Sequence, residues 1–170
     1  MTRIGLLSDT HHFLDERIFL YFSDCDEIWH AGDFGTIAVA ERLAAFKPLK
    51  GVFGNIDGMD LRSIYPQVLS WTCEEVKVLM THIGGSPGRY PAVVKDQIKR
   101  DQPDLFVCGH SHILKIMYDP QYSCLYLNPG AAGKQGWHTV RTLVRFMIDG
   151  KNISNCEVIE LGKRGSQTGR

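Results

Sequence analysis

The sequence predicts an α/β fold, a sandwich of mixed β-sheets flanked by α-helices, and three observations lead there. Short apolar runs recur along the chain, each closed by a polar cluster, as strands ending in turns are. In the first half, segments with apolar residues spaced by three and four alternate with those runs, the period of helices packed on a core. In the second half the runs pair across turn signals as hairpins, so parallel crossovers give way to antiparallel pairs. At 170 residues, 44% hydrophobic and 22% charged, the chain has the size and composition of one domain that can bury its own core.

In order, Arg3–Ser8 reads as the first strand and the segment from Asp15 to Cys25 as helical. Glu27–His30 is a short strand running into Ala31-Gly32-Asp33. Thr36–Phe46 is helical through Ile37, Ala40, Leu43 and Ala44, and Pro48 ends it. Leu49–Phe53 is the next strand, running into Gly54-Asn55. Pro66–Trp71 and Val76–Thr81 form a hairpin, Ala92–Arg100 a helix, and Leu105–Cys108 a strand. Lys115–Tyr118 pairs with Cys124–Leu127, and Thr139–Ile148 meets Asn152–Glu160 across Asp149-Gly150, a strong hairpin turn. Residues 1–162 are read as a single domain, with 163–170 a polar, flexible tail lacking an apolar anchor.

Lys+Arg and Asp+Glu both number 19, so net charge is zero. A neutral chain disfavours broad nucleic-acid coating and membrane adsorption, both of which need basic excess. The run Ile4 to Leu7 is too short for a signal-peptide core, and no stretch approaches the ~20 apolar residues of a membrane span. Five cysteines (Cys25, Cys73, Cys108, Cys124 and Cys156) stand singly with no C-x-x-C. This pattern suits a reducing compartment, so a cytoplasmic location is expected.

The chemistry is concentrated at the strand ends. The first strand ends in Asp9-Thr10-His11, the second in Gly32-Asp33 and the third in Gly54-Asn55. His82 closes the hairpin strand, and Leu105–Cys108 runs into Gly109-His110-Ser111-His112. Ligands bind at this edge of open α/β sheets, and glycine lets the backbone come close to a shared centre. In the D-x-H and H-x-H pairs, alternate residues of an extended segment would point the same way. One histidine at a strand end is ordinarily just a satisfied polar residue, and Gly-Asn alone reads as a turn. Four of the seven histidines falling in five such clusters is a different matter. Carboxylate, imidazole and amide without thiolate suit a hydrolytic site for Mn, Fe, Zn or a similar ion.

The order D-x-H, G-D, G-N, H, G-H-x-H from Asp9 to His112 resembles the calcineurin-like metallophosphoesterases. Ser8-Asp9-Thr10-His11, Gly54-Asn55-Ile56-Asp57 and Asn128-Pro129-Gly130 are similar to the small prokaryotic phosphodiesterases of that superfamily. The resemblance implies the metallophosphoesterase-type β-sandwich and two divalent ions (Mn, Zn, Fe or Ni, with Mn favoured). It implies Asp9, His11 and His112 on one ion, Asn55, His82 and His110 on the other, and Asp33 bridging both. Such a pair can hold a hydroxide between its ions, polarise a phosphoryl oxygen and steady the leaving oxygen. Asp33, Asn55 and Asp57 are expected to serve catalysis, Asp57 by orienting Asn55 or a histidine.

Many superfamily members carry a histidine after the Asn of the third motif, where it aids catalysis; here that position is Ile56. This favours diesters over monoesters, unless His12 or His138 replaces the missing acid. His12, Arg89, Lys134 and His138 are candidates to face a substrate, with Arg141 near the same rim; for each, plain surface exposure is the competing reading. Trp29, Phe34 and Phe53 are expected in the core. The function expected is a phosphodiesterase acting on a small phosphodiester. No membrane partner is expected, nucleic acid enters only as a substrate, and self-association stays open. The alternative is a non-catalytic scaffold resembling the retromer subunit of this fold. A structural zinc domain fails on ligand type, since such sites prefer cysteine.

Overall fold

The computed structural model describes residues 1–165. Its elements are β1 (Thr2–Leu7), α1 (Arg17–Tyr21), β2 (Glu27–His30), α2 (Ile37–Phe46), β3 (Leu49–Gly51), α3 (Met59–Arg62), β4 (Val68–Cys73), β5 (Val76–Thr81), α4 (Ala92–Asp101), β6 (Leu105–Val107), β7 (Leu114–Asp119), β8 (Cys124–Pro129), β9 (Val140–Asp149) and β10 (Asn152–Lys163). They build two five-stranded sheets, ordered β10-β9-β1-β2-β3 and β4-β5-β6-β8-β7. Both are mixed. β1, β2 and β3 run parallel in the first, as do β5, β6 and β8 in the second, and antiparallel pairs complete each sheet.

Strand alternation sorts the apolar residues into layers, because successive side chains leave a strand on opposite faces. Ile4 and Leu6 of β1, Trp29 of β2 and Phe146 of β9 meet Val78 and Met80 of β5 and Val107 of β6 between the sheets. The outer face of the first sheet buries Leu7, Ile28, Leu143 and Ile159 under Ile18 of α1 and Val39 and Leu43 of α2. On the second sheet, Leu79, Phe106 and Tyr126 lie under Val94 and Ile98 of α4. The result is a helix–sheet–sheet–helix sandwich, as the alternation of helices and strands predicts. The C-terminal ends of β1, β2, β5 and β6 converge on one edge, where Asp9, Asp33, His82 and His112 meet.

Several boundaries differ from the sequence reading. The first helix covers only Arg17–Tyr21. Asp15, in the turn before it, accepts the Arg17 backbone N–H, and Cys25 turns back onto the Phe22 carbonyl. The single-turn helix α3 has too few residues to show a period, and the sequence reading misses it. β10 continues through Lys163, paired with Val140, so the domain runs past residue 162; Arg164 N–H then bonds the Thr139 carbonyl. Residues 166–170 of the expected tail lie outside the described residues. Arg141 is a further correction: it is fully buried, donating to Asp15 (2.9 Å) and the Leu161 carbonyl (3.1 Å), which ties β9 and β10 to the start of α1 and keeps it off the rim. The hairpin at Asp149-Gly150 forms as read. Among the described residues no helix is long and apolar enough to cross a membrane.

Candidate metal centre

The loop after each converging strand delivers its polar side chains inward. Two groups of candidate metal ligands result, Asp9–His11–His112 and Asp33–His82–His110, the donor atoms within each lying within 4.8 Å of one another. Asp33 Oδ2 sits 3.2 Å from His11 Nε2 and 3.1 Å from His82 Nε2, so one carboxylate oxygen reaches both groups. Asp9 Oδ1 is 3.1 Å from His112 Nε2 and 3.6 Å from His11 Nε2. Asn55 Oδ1 stands 3.0 Å from His110 Nδ1, which joins it to the second group. The seven residues implied by the sequence resemblance therefore meet at one place. The described cysteines contribute no thiol to either group.

The D-x-H and H-x-H segments do not meet it as extended chain. Asp9, His11, His110 and His112 all have left-handed backbone (φ 54, 46, 70 and 61°), as does Asp33 (φ 60°). The strands end before the ligands, and each ligand is aimed by a tight loop. Non-glycine residues held in this region cost of order 1–3 kcal/mol each and cluster where function over-determines the backbone. Gly54 is required by proximity: a Cβ there would stand 2.0 Å from Asp33 Oδ1.

Hydrogen bonds fix which atoms face the centre. Asp9 Oδ2 accepts from Ser8 Oγ (2.7 Å) and the His110 N–H (3.1 Å), leaving Oδ1 to the histidines. His82 Nδ1–H donates to the Ala31 carbonyl (2.8 Å), which leaves Nε2 as the ring atom facing the centre. Asp9 Oδ1, His11 Nε2 and His82 Nε2 are buried without a hydrogen-bond partner. They lie 3.1–3.8 Å from oppositely charged or polar neighbours across the centre without forming hydrogen bonds. Unsatisfied buried polar atoms cost stability, and three gathered at one centre fit a bound cation.

The electrostatics agree. Burial alone would raise the carboxyls of Asp9 and Asp33, but the imidazoles around them prevail and hold both well below the usual range. The Asp33 and Asp9 carboxylates push His11 up to about 9. Burial pulls His82 down, yet Asp33 and Asp9 outweigh it and leave the ring raised. The two carboxylates thus draw positive charge into the site.

Asp57 corrects an expectation. Its buried carboxylate hydrogen-bonds backbone N–H groups, not a histidine ring or the Asn55 amide. Oδ2 accepts the backbone N–H of Asp33 (3.0 Å), Phe34 (3.2 Å) and Gly54 (2.8 Å), and Oδ1 that of Gly35 (2.9 Å). It binds the Asp33 loop to the Asn55 loop, a positioning role. His30, missed in the sequence, does similar work: its Nδ1 accepts the Gly32 N–H (3.1 Å) and its Nε2 bonds Thr10 Oγ1 (3.1 Å). Burial pushes it down to about 3, so it stays neutral. Asn128 braces the Gly109–Ser111 loop through the Gly109 carbonyl (3.0 Å) and Ser111 Oγ (3.1 Å).

The rim candidates separate. His12 is exposed beside the centre, its ring packed over Gly35. Arg89 shares a depression with His110 and Ser111. Lys134 instead lies over the Phe13 ring, 4.1 Å from its centroid. His138 has both nitrogens engaged, Nε2 with the Gly133 carbonyl (2.8 Å) and Nδ1 with His112 Nδ1 (3.2 Å), so neither is free to act as an acid. Trp29 and Phe34 are buried as expected. Phe53 departs from that expectation by lining a cavity of about 470 Å³ that opens at Asn55 and His82. Leu79, Val94 and Phe106 make apolar walls, and Arg62 stacks 4.6 Å from the Phe53 centroid.

The calcineurin-like phosphoesterase superfamily domain matches residues 2–151. The chain belongs to this superfamily. Among solved structures it is similar to an archaeal phosphodiesterase (23% identity, TM-score 0.75, covering 94% of this chain and 99% of that one). A predicted phosphoesterase from Streptococcus pneumoniae matches at 18% identity and TM-score 0.66, covering 94% and 97%. Vps29 from Entamoeba histolytica, complexed with zinc, matches at 15% identity and TM-score 0.69, covering 93% and 98%. A comparison with curated proteins finds no match. At these identities the neighbours establish the fold, and this superfamily member carries two candidate groups of metal ligands.

Proposed function

We propose that this superfamily member is a metal-dependent phosphodiesterase that hydrolyses the P–O bond of a small phosphodiester at a dinuclear centre. The observation that carries this reading is that His11 Nε2 and His82 Nε2, buried and unpartnered, each lie between the carboxylates of Asp33 and Asp9, whose Oδ1 is likewise unpartnered. Asp9, His11 and His112 would hold one ion and Asn55, His82 and His110 the other, with Asp33 shared. Oxygen and imidazole donors suit Mn, Fe or Zn, and Mn²⁺ is the ion to try first. When bound, a pair of divalent ions supplies a hydroxide nucleophile at neutral pH and neutralises phosphoryl charge.

The chain's own residues account for the rest. Asp57 and His30 hold the loops that aim the ligands, and the Ala31 carbonyl keeps His82 Nε2 inward. The apolar cavity beside Asn55 and His82 offers room for one ester substituent. Ile56 cannot donate a proton, and a positioned acid contributes roughly 10²–10⁴-fold for a poor leaving group. Diesters with a low-pKa leaving group are therefore the favoured class.

The scaffold alternative draws on the likeness to Vps29 and on the edge strand β7, where Ile116, Met117 and Tyr118 are exposed. The complete ligand set favours catalysis, because buried carboxylates and imidazoles are costly unless something binds them. Protein loaded with Mn²⁺ or Zn²⁺ should hydrolyse an aryl phosphodiester faster than the matching monoester. Full metal occupancy with neither ester turned over would leave the scaffold reading.

A further inference from the structure

His138 is placed behind His112, on the side away from Asp9. Its Nε2 lies 2.8 Å from the Gly133 carbonyl, which can only accept, so that nitrogen carries the proton. The neutral ring then has its lone pair on Nδ1, 3.2 Å from His112 Nδ1. Two ring nitrogens form a hydrogen bond only if one donates, and here the donor must be His112. Nε2, 3.1 Å from Asp9 Oδ1, is thereby the ring atom left for a metal ion, which would displace any proton shared with that carboxylate. We infer that His138 is a positioning residue that keeps a proton on His112 Nδ1, so that Nε2 is the atom left to bind a metal ion.

The preference is worth imposing, because a free neutral imidazole in water favours the proton on Nε2, the wrong tautomer for this ligand. The local backbone is built around the pair. A Cβ on Gly136 would stand 2.0 Å from His112 Nδ1 and 3.1 Å from His138 Nδ1, and its φ of +131° also suits glycine. The chain therefore passes against the two rings. Metal-ligating histidines generally fix their tautomer through such an outer partner, and losing it typically weakens binding 10–100-fold. The inference rests on the reading of His112 as a ligand, but its central claim concerns the metal-free ring.

The test uses metal-free protein with ¹⁵N-labelled histidine and long-range ¹H–¹⁵N correlation spectra, the His112 signals being assigned with His112→Ala. The expected wild-type His112 is protonated on Nδ1. In His138→Ala it should shift toward the Nε2–H form, and His138→Asn, which sets an amide oxygen near the Nδ1 position, should restore it. Calorimetric titration with Mn²⁺ should show one of two binding events weakened 10–100-fold in His138→Ala and recovered in His138→Asn. A wild-type His112 with Nδ1 unprotonated overturns the inference whatever the variants do. So does a folded His138→Ala with unchanged tautomer and unchanged affinities. Protein that binds no divalent ion refutes the proposed function, while the tautomer measurement still decides the role of His138.

Discussion

Asp57 offers the sharpest single perturbation. Its carboxylate is 3% exposed and accepts four backbone N–H groups, three on Oδ2 and one on Oδ1. In Asp57→Asn, the amide oxygen can still serve Asp33, Phe34 and Gly54, but the new NH₂ faces the Gly35 N–H. One charge-assisted bond is lost, worth about 1.5–3 kcal/mol, and three others drop to neutral strength at about 1 kcal/mol each. Allowing for relaxation, the expected cost is about 3–5 kcal/mol. For a chain of this size 1 kcal/mol moves Tm by roughly 2–4 °C, so a fall of about 10 °C is expected. Scanning calorimetry should be run on metal-free protein, since bound ions would mask part of the loss. Because the same bonds hold the Asp33 loop to the Asn55 loop, both metal affinities should fall in a titration run well below the variant's Tm. A Tm change under about 2 °C would show that the carboxylate does not hold these loops, and the positioning argument would be wrong.

Asp33→Asn should weaken both metal-binding events in calorimetry, whereas His112→Ala should weaken mainly one, because Asp33 Oδ2 lies within 3.2 Å of a histidine in each group. Asp15 is buried, which would raise its carboxyl, but Arg17 and Arg141 outweigh this and hold it well below the usual range. Its stabilising contribution is therefore complete above the unfolded value of about 4 and lost as pH falls toward the lower folded value, so Asp15→Asn should flatten the acid side of the stability profile measured by urea unfolding. Val93 on α4 is 74% exposed at the mouth of the apolar cavity, and Val93→Glu should raise KM for an aryl phosphodiester severalfold with metal content unchanged. An unaltered KM would remove that cavity from the substrate path. Ile56→His should raise activity on phosphomonoesters while an aryl diester changes little; a wild-type preference for monoesters of poor leaving groups would refute the argument from Ile56.

The set of ligands is legible in the sequence because each one sits just beyond the end of an apolar run. The strand–helix alternation and the Asp149-Gly150 turn similarly predict the sandwich, since periods of 2 and 3.6 are local properties of the chain. How the ligands are aimed is concealed. Extended backbone through Asp9–His11 and His110–His112 is the natural expectation from their spacing, yet all four residues are left-handed. Their conformation is imposed from other strands: Asp9 N–H bonds the Gly32 carbonyl and His11 N–H the Asp33 carbonyl, more than twenty positions away. The supporting residues are hidden for the same reason. His30 looks like part of an apolar strand, and Asp57 looks like a turn residue until the N–H groups of 33–35 are seen around it. His138 lies 26 positions beyond the ring it orients. Metal ligands announce themselves by residue type, but the groups that hold them do so through backbone N–H and C=O partners that every residue carries, and only the folded chain shows which of those are used.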